Sequence, residues 1–147
     1  MKRYLALDIG KKRTGLALVN DETKVATPLL VIAQQTESPI FIEELYDQII
    51  EFEIDSLIAG VPVDLKGHEG IAAKDVRSRV ESLLKRLNSK REKKNLAKLV
   101  VVYVDERLST AQAEKALKSA DVSSKNRKNM RDAHAAMVIA QSYIDSL

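Results

Sequence analysis

Hydrophobic residues follow two rhythms along this chain, and the change from one to the other divides it. Tyr4 to Ile9, Gly15 to Asn20 and Val25 to Ile32 read as short strands separated by polar turns at Gly10–Thr14 and Asn20–Thr23. The five turn residues after Ile9 predict a hairpin. Pro28, which has no N–H to give a ladder, predicts an edge position or a bulge for the third run. The opening is therefore expected to be a three-stranded antiparallel meander.

The period changes after Ser38-Pro39, an N-cap followed by proline at the first helical position. Ile42, Leu45, Ile49 and Phe52 recur at helical spacing, with Glu43, Glu44, Asp47 and Glu51 on the other face. Ser56 to Ala59 predicts a short buried parallel strand ending at Gly60, and Val61 to Gly70 a loop. Ile71, Val76, Val80, Leu83, Leu84 and Leu87 mark a long helix that ends near Asn88. Leu99 to Val104 is the most strand-like run in the chain. Ser109 with Gln112 forms a capping box for a short helix through Leu117. Residues 119–129, basic and without apolar period, predict a loop, and Met130, Ala133, Met137, Ala140 and Ile144 give the inner face of a last helix. The order βββαβαβαα predicts one α/β domain over residues 1–147. Its mixed five-stranded sheet has three antiparallel strands, then two parallel ones, with helices on both faces.

Composition narrows what such a domain can do. With 147 residues and 45% hydrophobic content the chain can bury a core. Aromatics at 4% argue against a site built on stacked rings, and the absence of cysteine removes thiolate metal sites and thiol nucleophiles. No apolar run approaches the roughly 20 residues of a membrane span, and Met1-Lys2-Arg3-Tyr4 leads into a strand without a signal-peptide core, so no membrane partner and a cytoplasmic setting are expected. Net charge is only +3, but the cations cluster: Lys85, Arg86, Lys90, Arg91, Lys93, Lys94 and Lys98 in one segment, Lys118, Lys125, Arg127, Lys128 and Arg131 in another. Clustered cations suit a polyanion such as nucleic acid, although a solvated helix face would look the same.

Three acidic points stand out against this background. Asp8 is the only acid of the first strand and shares a face with Tyr4 and Ala6; Asp105 and Glu106 close the Leu99–Val104 run; Asp132 lies among alanines in the last helix. In open α/β sheets, sites lie beyond the carboxyl ends of strands, and Asp8, Gly60 and Glu106 all fall there. Each acid has an ordinary reading: Asp8 capping its turn or pairing with Lys11, Lys12 or Arg13, one of Asp105 and Glu106 pairing with Arg107, Asp132 near a helix start. Together they suggest carboxylates meeting around a hard divalent cation, Mg2+ or Mn2+. Two such ions can activate a water and stabilise the leaving oxygen of a phosphodiester. His68, in a loop, and His134, in a helix, lack the spacing of a zinc pair. Lys12 and Arg13 beside Asp8, Arg107 beside Glu106, and Lys125, Arg127, Lys128 and Arg131 leading to Asp132 are the candidates to hold phosphates against the acids.

The motifs also carry a resemblance. Asp8-Ile9-Gly10 with Lys12-Arg13-x-Gly15, Gly60-x-Pro62 with Gly67-x-Glu69-Gly70, Asp105-Glu106-Arg107-Leu108-Ser109-Thr110, and Asp132-x-x-Ala135-Ala136 resemble, in order and over nearly the whole chain, the YqgF or RuvX family. That resemblance implies an RNase H-like fold related to the RuvC Holliday-junction resolvases. It also implies a metal-dependent nuclease acting on the 5′ end of pre-16S rRNA, with Asp8, Glu106 and Asp132 as catalytic acids and metal ligands. Structured RNA is the favoured partner, and branched DNA the alternative. A non-catalytic nucleic-acid-binding module is a third reading, and a monomer or weak homodimer is expected. An actin-like phosphotransferase, suggested by Asp8-x-Gly10, would need two such domains around its nucleotide. Departures fall in the loop Val63-Asp64-Leu65-Lys66, at His68, and at Ala135, where RuvC resolvases carry a further acid.

Overall fold

The structure of the protein, a computed structural model, describes residues 1–64, 66–106 and 124–147; for 124–130 it describes the helical backbone and not the side chains. Five strands form one sheet in the order β3-β2-β1-β4-β5: β1 (Arg3–Ile9), β2 (Thr14–Asn20), β3 (Thr27–Ile32), β4 (Ser56–Val61) and β5 (Val100–Asp105). β1 runs antiparallel to β2 and parallel to β4, and β5 is parallel to β4. The mixed sheet expected from the sequence is present. Pro28 lies on the edge strand β3, where Leu16 pairs with Leu30 but Ala17 pairs with Pro28, so the proline sits at both an edge and a bulge.

Alternation along the strands builds two cores. On one face Leu5, Leu7 and Leu16 pack beneath helix α1 (Pro39–Glu51) and helix α2 (Ile71–Glu92) through Phe41, Leu45, Leu83 and Leu87. On the other, Tyr4, Ala6, Ala17 and Ile58 meet helix α3 (Ser124–Asp145) through Ala136, Ile139, Ala140 and Ile144. Small residues on this second face let α3 lie close to the sheet. At α1, Ser38 Oγ accepts the Ile40 N–H at 3.2 Å, and Pro39 opens the helix.

Three boundaries differ from expectation. β4 runs on through Gly60 to Val61, because its neighbour β5 continues beside it: Gly60 pairs with Val104 and Val61 with Asp105. α2 reaches Glu92 rather than ending near Asn88. Arg91 takes the next inward position after Leu87; its aliphatic stem covers apolar surface while Nε donates to the Ala97 carbonyl at 2.7 Å. Asn88 closes the same end by accepting the Leu99 N–H and donating to its carbonyl. Residues 124–129, expected in a loop, form the first turns of α3; lysine and arginine are good helix formers, and no glycine or proline interrupts them. Ile71, read as part of the buried stripe, is the exposed first residue of α2. The helix expected from Ser109 to Leu117 lies outside the described residues. No helix among the described residues is long and apolar enough to cross a membrane.

Candidate active site

The carboxyl ends of β1, β4 and β5 lie side by side, and the acids gather there. Asp8 sits one residue from the end of the central strand, on the face that α3 covers, opposite Gly15 of β2. Glu106 follows β5 directly, and its N–H donates to the Val61 carbonyl at 3.2 Å. That bond turns the chain so that the glutamate reaches over Gly60. A side chain at 60 would meet Glu106 Oε2 and Ile139 of α3, so glycine leaves the space that the carboxylate occupies.

Gly15 has the corresponding role for the third acid. A methyl group there would overlap the backbone carbonyl of Asp132. The missing side chain lets α3 rest directly on β2 at the residue that pairs with Asp8, and Asp132 is thereby delivered to the same corner.

Electrostatics tie the acids together. The carboxyl of Asp8 is pushed up to about 8, first by burial, then by the charge of Glu106 and the hydrogen bond shared with it, then by Asp132. Burial also raises Glu106, with the bond to Asp8 acting against it and the charge of Asp105 adding to it. Two carboxyls this close and half-buried resist carrying two charges at once. Asp132 is held differently: its Oδ2 accepts from Arg13 Nε at 2.7 Å. Among the described residues no three acidic or histidine side chains form a ready-made metal cage. The donor set nonetheless suits a hard divalent cation: the three acids offer carboxylate oxygens only, and Gly60 leaves the room that the Glu106 carboxylate needs to stand beside Asp8.

The expected phosphate-binding residues are placed unevenly. Lys12 and Arg13 are exposed on the β1–β2 turn, but the guanidinium of Arg13 is engaged by Asp132, a pairing across more than 100 residues that no sequence spacing reveals. Arg131 is exposed on α3 beside Asp132. Lys125, Arg127 and Lys128 belong to the first turns of α3, with side chains outside the described residues, as is all of Arg107. The basic segment Lys85–Lys98 is far from the acids: α2 lies on the opposite face and ends at the amino edge of the parallel strands.

Both histidines stay apart from the acid pair's bonding. His68 is exposed, its Nδ1 3.8 Å from Asp64, whose Oδ1 also accepts the N–H groups of Lys66 and His68. His134 is buried in α3, and burial lowers its pKa. Glu69, just before α2, accepts two bonds from Arg77, at 2.6 and 2.7 Å, while that guanidinium stacks on Tyr103.

Known proteins resemble this chain in sequence and in fold. The RuvX family model, described as Holliday junction resolvase, matches residues 2–146. A relative from Dictyoglomus turgidum named "Putative pre-16S rRNA nuclease" is 31% identical over 145 residues, covering 99% of this chain and 95% of its own length. One of the same name from Sulfurihydrogenibium is 35% identical over 147 residues, covering 100% of this chain and 92% of its own. Among solved structures, the fowlpox virus resolvase bound to Holliday junction DNA is similar with a TM-score of 0.59 at 13% identity, covering 98% of this chain and 97% of that one. Thermus thermophilus RuvC with its junction substrate is similar at 0.52 and 12% identity, covering 95% and 91%. The fold is thus that of the RuvC-type, RNase H-like resolvases, and the chain, matched by the family model over almost its whole length, belongs to the RuvX family.

Proposed function

We propose that this protein is a divalent-metal-dependent nuclease that hydrolyses phosphodiester bonds in the 5′-end processing of pre-16S rRNA, in the cytoplasm, as a single domain. The observation that carries this reading is the gathering of Asp8, Glu106 and Asp132, near enough that the charges of the other two raise the Asp8 carboxyl, at a sheet end bordered by Lys12, Arg13 and Arg131. The relatives' name supplies the substrate. Asp8, Glu106 and Asp132 would hold Mg2+ or Mn2+, which supplies an activated water and charge stabilisation at the leaving oxygen. A cation held there would favour the deprotonated forms of Asp8 and Glu106. The cations on the β1–β2 turn, with Arg107, Lys125, Arg127, Lys128 and Arg131, offset the acids' repulsion of a polyanion and orient its backbone.

The description of the family model favours a second reading, cleavage of branched DNA. That chemistry is the same, but it needs two sites presented to one junction, hence a dimer rather than a monomer. Purified protein with Mn2+ is incubated in parallel with a 5′-extended 16S precursor, unrelated single-stranded RNA and a four-way DNA junction. Preferential cleavage within the 5′ extension supports the first reading. Paired nicks in the junction support the second. Tight binding without cleavage of any of them supports a non-catalytic module.

A further inference from the structure

The ion pair between Arg13 and Asp132 joins a candidate phosphate-binding residue to a candidate metal ligand. One carboxylate oxygen cannot both accept a short bond from a guanidinium and serve a divalent cation without loss to one of them. The geometry points to Arg13 as a placeholder: its guanidinium occupies Asp132 in the metal-free protein and is released toward the substrate backbone when a divalent cation takes the carboxylate. This inference rests on the metal-dependent reading above and adds to it an exchange that couples metal loading to substrate capture.

Three features of the structure support the exchange. First, the pair is accessible: the Arg13 side chain is 56% exposed and that of Asp132 25%, so water can compensate each partner as the bond opens. Second, the pivot is fixed while the arm is free. The Arg13 carbonyl accepts the Gly10 N–H at 2.9 Å, which closes the turn, and among the described residues the guanidinium forms its ion pair with Asp132. Third, the backbone of Asp132 is pinned against Gly15, so its carboxylate does not need α3 to move in order to change partner.

A simple structural clip would also give a short ion pair, and the two differ in sign. A clip that preshapes the site should weaken metal binding when removed. A placeholder should strengthen it, because a competitor and a like charge are both gone. Mn2+ is titrated into wild type and Arg13→Gln by calorimetry, without nucleic acid. The expected result is binding tightened by roughly two- to tenfold in the variant, the span of a partly exposed ion pair plus the relieved repulsion. In Ca2+, where binding can be followed without turnover, the same variant should hold a precursor RNA less tightly. Unchanged or weaker Mn2+ binding in a folded Arg13→Gln overturns the placeholder. Should that variant not fold, the wild-type protein still decides the matter. The Nε–H resonance of Arg13, assigned by its loss in Arg13→Lys, should leave its paired position on saturation with diamagnetic Mg2+; a resonance unmoved at saturation contradicts the exchange. Wild type that binds no divalent cation at all sinks the metal reading itself, and this inference with it.

Discussion

Single residues decide the electrostatics of the corner. Asp8 and Glu106 are both held above the ordinary carboxyl range, which favours their protonated forms. The stability contributed by Asp8 is complete below its unfolded value near 3.8 and is lost as pH rises through about 8. Asp8→Asn removes the titration and keeps the shape. In EDTA, the melting temperature of wild type should therefore fall between pH 5 and 8 relative to the variant, and Mn2+ at pH 8 should restore it in wild type alone. Parallel melting curves across that range would contradict the raised Asp8 carboxyl. Gly60 belongs to the same scale: Gly60→Ala would press on Glu106 Oε2 and Ile139, and should weaken Mn2+ binding more than it lowers the melting temperature of the metal-free protein.

Elements set the distance between those residues. α3 reaches the site because Gly15 lets its backbone touch β2, and alanines at 133, 136 and 140 keep it close along the rest of the sheet. Gly15→Ala forces the helix outward at Asp132, an overpacking that costs about 1–3 kcal/mol. It should carry Asp132 away from Asp8 and Glu106, so the variant should unfold at lower denaturant and lose Mn2+ affinity together; a wild-type denaturation midpoint would mean that the helix is not seated there. Much of this scale was legible in the sequence. Alternation placed Asp8 on the face of Tyr4 and Ala6, and Ser38-Pro39 marked the start of α1. What periodicity missed were contacts between distant segments: Ile139 over Gly60, Arg13 on Asp132, and Arg91 standing in for an apolar residue where α2 appeared to dissolve. The basic stretch before Asp132 misled for a related reason, since a cation-rich helix end without apolar period looks like a loop until its backbone is seen.

At the scale of the molecule, charge is divided between two places. The acids lie at the carboxyl end of the sheet under α3, with the 124–131 cations on the same helix. The exposed lysines 85, 90, 93, 94 and 98 lie diagonally across, at the end of α2 on the other face. If substrate is gripped beside the acids, neutralising Lys125, Arg127 and Lys128 should weaken nucleic-acid binding for all sequences alike. It should also flatten log affinity against log salt by at most roughly one unit per lost contact. Neutralising Lys90, Lys93 and Lys94 should leave both affinity and slope for a short substrate unchanged. Fluorescence anisotropy at several salt concentrations separates the two sets, and the reverse pattern would move the substrate path to the α2 face.

The central claim is that Asp8, Glu106 and Asp132 act as one metal-binding unit for phosphodiester cleavage. Its most direct test is the rate at which wild type and Asp8→Asn cleave a 5′-extended 16S precursor with Mn2+, each protein first shown to be folded. The account predicts metal-dependent cleavage by wild type, abolished by EDTA, and a loss of roughly 10³-fold or more in the variant, the scale on which one member of a catalytic unit is missed. Cleavage by Asp8→Asn at the wild-type rate would contradict it.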